Sequence, residues 1–149
     1  MPDALFSRDG DVYHPTRLTE GPWSPDAQHG GPPAALLAGA IEKAPSEVEM
    51  MVARVTIELL RPIPLQPLRL ATSVIRPGKK VQLVSAMLTH EDTEIARATG
   101  LRIRVADLGL SFPQPATAIP SPSDGHPANF FANPGAFATD AMEIRMVSG

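Results

Sequence analysis

Four consecutive residues, Gln28-His29-Gly30-Gly31, bring together the side chains and bare backbone in this chain best suited to chemistry. An imidazole exchanges protons near neutral pH, so His29 could orient a ligand or relay a proton; equally, it could hydrogen-bond backbone and cap the loop. Gln28 could hold a water or a carbonyl group, but an amide cannot act as a general base. The first turn of a helix presents N–H groups without intrahelical partners at the positive end of its dipole, which suits a developing oxyanion. Pro32 and Pro33 have no N–H, so the expected donors are Gly30 and Gly31. The plainer alternative is that the two glycines only turn the chain sharply into the helix.

The helix they introduce is Pro32-Pro33-Ala34-Ala35-Leu36-Leu37-Ala38-Gly39-Ala40-Ile41-Glu42-Lys43. Two prolines fit a first helical turn. Ala34, Leu37, Ala38 and Ile41 follow the spacing of one helical face. Ala35, Leu36, Gly39 and Ala40 make the other face equally apolar, so the helix is expected to be buried all round, with a sheet approaching its small residues closely. Ala44-Pro45-Ser46 ends it.

Other candidates surround this stretch. Trp23, the sole tryptophan, sits in the loop from Thr16 to Asp26 and is expected either to plug the end of a core or to stack on a ligand. Asp26 could serve as a base if its loop folds back toward Gly30, although an acid there would also stabilise the helix amino terminus. Glu42 belongs to the far end of the helix, and Glu58 alternates with apolar residues and should face solvent. Arg61, Arg76, Lys79 and Lys80 fall at strand ends, where they could meet phosphates or simply be solvated. His14, His90 and His126 lack a partner at ligand spacing, so no metal site and no cofactor is expected. There is no phosphate loop, dinucleotide fingerprint or serine elbow.

The chain has 149 residues, a net charge of −3 and no cysteine, which fits one ordinary domain and excludes disulfides and thiol chemistry. That charge gives no case for nucleic acid or an anionic membrane. Without a signal peptide or a run of the ~20 apolar residues that a membrane span needs, a soluble, cytoplasmic protein is the expectation.

The positioning elements are short β pieces at Ala4–Phe6 and Asp11–His14, then strands from Met50, at Leu68–Arg76, at Val81–His90 and at Glu94–Val105. Their short connections demand antiparallel neighbours. Such a sheet would bury one face on the helix, while Val52, Leu60, Ile75, Val84 and Leu88 are expected on a half-apolar outer face that suggests a partner surface. Residues 108–140 hold six of the 17 prolines and look like a linker or tail; residues 141–149 look like one more strand.

One helix ahead of a long antiparallel meander resembles the hot-dog fold, an α+β architecture in which the sheet wraps a central helix. Gly21-Pro22-Trp23, Gln28-His29-Gly30-Gly31, Arg61-Pro62-Ile63-Pro64 and Arg76-Pro77-Gly78-Lys79 look like the amino-terminal half of the acyl-CoA thioesterase-like, double hot-dog proteins. The resemblance covers about residues 5–105, and the domain is placed at 1–107. Glu143-Ile144-Arg145 resembles the opening strand of their second repeat, which would begin just where this chain stops. The resemblance implies an acyl-CoA ligand with its thioester at Gly30-Gly31, the pair acting as oxyanion hole. Gln28, His29 and Asp26 are then the catalytic candidates, and Trp23, Arg61 and Arg76 the further binding candidates. A homo-oligomer formed through the sheet or its edge strands could stand in for the second repeat. In the double hot-dog relatives the catalytic carboxylate lies in that second repeat; in single-domain relatives it lies further along the helix, at about Ala38 here, which has no carboxylate. A silent acyl-CoA-binding or scaffold domain is therefore one rival, and a hydratase or dehydratase using Asp26 with His29 is another.

Overall fold

Two short strands, β1 (Phe6–Asp9) and β2 (Val12–Pro15), flank a turn in which Gly10 takes a φ of 60°. A 3-10 turn at Arg17–Thr19 and an irregular loop lead into helix α1 (Gly31–Glu42). Four long strands follow: β3 (Met50–Leu59), β4 (Leu68–Arg76), β5 (Val81–His90) and β6 (Thr93–Arg104). This computed structural model describes residues 4–111, 120–128 and 135–147.

The six strands form one antiparallel sheet in the order β1-β2-β4-β5-β6-β3. α1 lies against its inner face, as the hot-dog resemblance implies, and touches β3, β4, β5 and β6. Leu37 and Ile41 point from the helix into a core built with Leu68, Val84, Ala86, Leu88, Ala96 and Ala98. Burying side chains of the Leu or Ile class is worth roughly 1.5–3 kcal/mol each, so this seam fixes the helix on the sheet.

Two expectations about faces are corrected. Val84 and Leu88 are fully buried and Val52 packs against the core, so these three belong to the inner face; Leu60 and Ile75 are exposed. The register slips at Ala53 of β3, between Val52 and Arg54, and at Ile95 of β6, which lies unpaired opposite the Leu88–Thr89 step of β5. Each irregularity inserts a residue and inverts the alternation beyond it. The helix, moreover, is not buried all round. Ala35 and Glu42 are exposed, and a methyl added at Gly39 would meet nothing. Its large side chains lie on one face, and the sheet covers that face alone.

Close approach depends on small residues from the sheet as well as the helix. A Cβ on Gly100 of β6 would stand 2.2 Å from Ile41 Cγ2 and 3.2 Å from Ile41 Cδ1. Ile41 is fully buried and has nowhere to retreat. Gly100→Ala is therefore expected to cost about 1–3 kcal/mol by overpacking, measured by urea unfolding.

The helix exit is held by polar contacts. Arg102 of β6, 4% exposed, donates from Nη1 to the carbonyls of Ala44 and of the Gln82 side chain, both at 2.7 Å. The Gln82 amide donates in turn to the Pro45 carbonyl at 3.0 Å.

The later part of the chain contributes β7 (His126–Pro127), the six-residue helix α2 (Gly135–Asp140) and β8 (Arg145–Met146), with β7 and β8 paired antiparallel. The strand expected over 141–149 is thus confined to Arg145–Met146 among the described residues. The segment expected to be linker contains a helix, and that helix folds back onto the 3-10 turn at Arg17–Thr19.

Candidate active site at the entrance of the central helix

The loop before α1 is held as a small three-stranded ladder. The His29 N–H donates to Thr19 O (2.7 Å), the Gly21 N–H to Ala27 O (2.9 Å), the Gln28 N–H to Ile63 O (2.8 Å) and the Leu65 N–H to Asp26 O (2.9 Å). The first two bonds close the loop on itself, and the last two tie it to the distant Ile63–Leu65 segment, so local turn chemistry and the fold together position the site.

Gln28 is 5% exposed, and its Nε2 donates to Pro64 O at 2.7 Å. Because a carbonyl must face the amide's NH2 group, that bond fixes which way the side chain points. Its Oε1 is buried and has no partner among the described residues. A buried acceptor without a bond costs about 1–3 kcal/mol, so this oxygen is a ready seat for a donor such as water.

His29 faces the other way and is clamped between aromatic rings. Trp23 stacks on it at 5.7 Å with planes 16° apart, and Phe137 of α2 stacks at 4.7 Å and 24°. Its Nδ1 accepts the Gly31 N–H at 3.0 Å. In the neutral ring this acceptor role leaves the hydrogen on Nε2.

The expected pair of oxyanion donors is consequently unequal. Gly31 has spent its N–H on the imidazole, and with Pro32 and Pro33 following, the first bond within reach of the helix is Ala34 N–H to Gly30 O at 3.1 Å. The Gly30 N–H has no partner among the described residues. Gly30 is also close-packed: a Cβ there would stand 2.9 Å from Leu59 Cδ1.

The remaining candidates separate clearly. Trp23 does not plug the core; it is 77% exposed and gives one face to His29. Asp26 is exposed, and its carboxylate makes no hydrogen bond among the described residues. Arg61 is exposed at this end of the molecule, two residues before the Ile63 carbonyl that receives Gln28. Arg76 ends β4 next to Pro77, Gly78 and Lys79, which line a cavity of about 660 Å³ with Pro45, Ser46 and Gln82 at the opposite end of α1. Twelve helical residues span about 18 Å, so the structure does not bring Arg76, Lys79 or Lys80 to Gly30. Glu42 is likewise at the far end. Glu58 is exposed and bonded to Arg97 at 2.5 Å; that guanidinium, through the hydrogen bond and its charge, holds the carboxyl below its ordinary range. Among the described residues no cluster of His, Asp and Glu could hold a metal, and no helix is long and apolar enough to cross a membrane.

Two contributors escape a reading of the sequence. Phe137 lies in the proline-rich stretch and is recognisable only from its contact with His29. Glu20 stands directly opposite Gln28 in the ladder, flanked by the bonds Gly21 N–H to Ala27 O and His29 N–H to Thr19 O. Such a non-hydrogen-bonded pair puts both side chains on one face, with Cβ atoms about 4.5–5.5 Å apart. The Glu20 carboxylate is 3.7 Å from Arg17 Nε.

Residues 19–103 match the family model of the acyl-CoA thioesterase N-terminal domain, more than half of the chain and all of the helix-entrance loop from Glu20 to Gly31, with Phe137 outside the match. The chain belongs to that family. Solved structures agree on the hot-dog fold. A protein of Thermobifida fusca YX, proposed to be a thioesterase II, superposes with a TM-score of 0.65 at 20% identity over 94% of this chain and 51% of its own. A hot-dog protein of Alicyclobacillus acidocaldarius, of unknown function, gives 0.64 at 15% identity over 89% of this chain and 49% of its own. A Bacillus halodurans protein solved with CoA gives 0.54 at 21% identity, covering 63% of this chain and 69% of its own. This family member thus spans about half the length of the first two. No curated protein matches the chain.

Proposed function

We propose that this domain hydrolyses acyl-CoA thioesters at the entrance of α1. The observation that carries the reading is Gln28, whose buried Oε1 has no partner among the described residues and lies two residues before Gly30, whose N–H has none among them either. An acceptor for water and a donor for a carbonyl oxygen are the two polar groups that thioester hydrolysis needs side by side. In this reading the thioester oxygen docks at the Gly30 N–H and the positive end of α1, and Gln28 Oε1 orients the attacking water. A carboxylate takes the water's proton as the C–S bond breaks and CoA leaves as a thiolate, which is then protonated. Glu20 shares the face of Gln28 and is the preferred base, with Asp26 at the exposed rim as the alternative. His29 holds the loop and turns Nε2–H outward as a further donor.

Membership of the thioesterase family, together with CoA in the Bacillus halodurans relative, supports CoA as the leaving group. Arg61 is the proposed phosphate contact, being an exposed arginine at this end of the helix with no carboxylate partner among the described residues, whereas Arg17 and Arg97 are paired with Glu20 and Glu58. A second hot-dog module would complete the site. Among the described residues β3 is unpaired along its outer edge, and Leu59 beside Gly30 is 50% exposed, so a second copy placed there would wall in the acyl group.

A silent acyl-CoA-binding domain is the second reading, favoured by Ala38 at the helix position where single-domain relatives are expected to carry an acid. A hydratase using Asp26 with His29 has less support, because His29 spends Nδ1 on Gly31 and both ring faces on aromatics.

Release of free CoA from acyl-CoAs of graded chain length tests this. Wild type is expected to turn over, His29→Ala to lose about 10-fold, and Glu20→Gln to lose about 10²-fold as expected for a lost general base. Asp26→Ala should lose less than Glu20→Gln; the reverse order would transfer the base to Asp26. Binding without turnover on every chain length would establish the silent domain.

A further inference from the structure

The helix entrance is covered in this structure by a segment from the far end of the chain. Phe137, on α2, lies flat against His29, and a Cβ on Gly31 would stand 2.9 Å from Phe137 Cε1 and 3.1 Å from its Cζ. One aromatic ring therefore covers Gly31 and lies flat on His29, immediately beside the Gly30 N–H proposed to take the carbonyl oxygen. The contact is built and not casual. Gly135 takes a φ of 65° and its α-carbon is so close to the loop that a Cβ would stand 2.6 Å from Gly21 C and 2.7 Å from Gly21 O. The Phe137 N–H donates to Glu20 O at 3.1 Å, and Ala136 is 4% exposed.

The same segment is poorly equipped to stay in place by itself. α2 has six residues, well under the length at which an isolated helix is stable, so it holds its shape only while docked. Its seat consists of the loop, the 3-10 turn and the imidazole, not the hydrophobic core, whose buried cluster includes none of its residues.

We propose that α2 is an autoinhibitory cover, with Phe137 as its occluding side chain, and that an acyl group reaches Gly30-Gly31 only when α2 leaves its seat. The inference rests on the thioesterase reading for the identity of the ligand, but not for the existence of the cover. Displacing Phe137 opens the face of Gly31 and one face of His29 together. A cover closed in about 90% of molecules lowers apparent ligand affinity about tenfold, which is the gain that its removal should restore.

Two variants release it differently. Phe137→Ala removes the ring and leaves the docked backbone; Gly135→Ala drives a methyl against Gly21 and the Glu20 carbonyl and lifts α2 while keeping the ring, and both are read by reactivity and binding, not by turnover. Carbethoxylation of His29 by diethyl pyrocarbonate, followed by peptide mass spectrometry with His14 and His90 as internal references, reports exposure of the imidazole. Binding of a non-hydrolysable acyl-CoA thioether reports access. Both variants are expected to modify His29 several-fold faster and to bind the thioether about tenfold more tightly. Unchanged His29 reactivity in both overturns the cover. Faster modification with weaker thioether binding also overturns it, making α2 a wall of the site. Faster modification with no thioether binding by any variant upholds the cover and overturns the thioesterase reading instead.

Discussion

Gln28→Leu is expected to lower kcat on acyl-CoA thioesters by about 10²–10³-fold, the scale seen when one preorganised polar group is removed from a reacting centre. Leucine keeps the volume of a side chain that is 5% exposed, so packing changes little, while both polar atoms disappear. The loss divides into two parts that can be measured separately. Losing Nε2 leaves Pro64 O without its donor, a structural cost of about 1–3 kcal/mol that urea unfolding will register. Losing Oε1 takes away no bond among the described residues and relieves part of that structural cost, because a buried acceptor left unpaired is itself destabilising. A fall in kcat with KM nearly unchanged therefore reports the oxygen's work on water in the transition state. If stability falls and kcat does not, Gln28 is only a clasp between the loop and Pro64, and the water site must be sought elsewhere.

The organisation of this site was partly legible in the residues themselves. Gln28, His29, Gly30 and Gly31 are contiguous, and contiguity before a helix guarantees that they share its entrance. Strands β4 and β5 begin and end where the alternation and the Pro77-Gly78 turn put them. Faces were harder. The slip between Val52 and Arg54 changes no composition, yet it decides whether Val52 or its neighbours look at the helix. Arg61 and Arg76 are equivalent as basic residues at strand ends, and only the sheet order shows that they stand at opposite ends of α1. The division of labour between the two glycine amides depends on a ring nitrogen 3.0 Å away, which no spacing encodes. α2 was hidden for another reason: Gly-Ala-Phe-Ala-Thr-Asp is too short and too weak a helix former to declare itself, and its docking against the loop is what makes it helical.

Arg102→Met should give the largest loss of stability among these variants, about 3–5 kcal/mol in urea unfolding, while leaving the groups at the helix entrance in place. The argument has two opposing parts. Arg102 is a cation 4% exposed whose hydrogen bonds among the described residues go to neutral oxygens, and its Nε has no partner among them, so removing the charge ought to relieve a desolvation cost. Against this, the guanidinium sits at the carboxyl end of α1, where the helix dipole favours a positive charge, and it is the donor to Ala44 O and Gln82 Oε1. Both acceptors are stripped when it goes, each at about 1–3 kcal/mol, and Gln82 loses the contact that aims its amide at Pro45 O. The stranded acceptors outweigh the relieved charge because Ala44 and Gln82 are themselves only 6% and 4% exposed. The double variant Arg102→Met with Gln82→Leu separates the two parts. Removing the second acceptor as well should recover about 1–2 kcal/mol of the loss, since a buried polar group deleted together with its partner costs less than one left alone. If Arg102→Met proves neutral or stabilising, the buried charge was the dominant cost, and the helix exit is held by packing of Ile41 and Ala44 and not by this polar clasp.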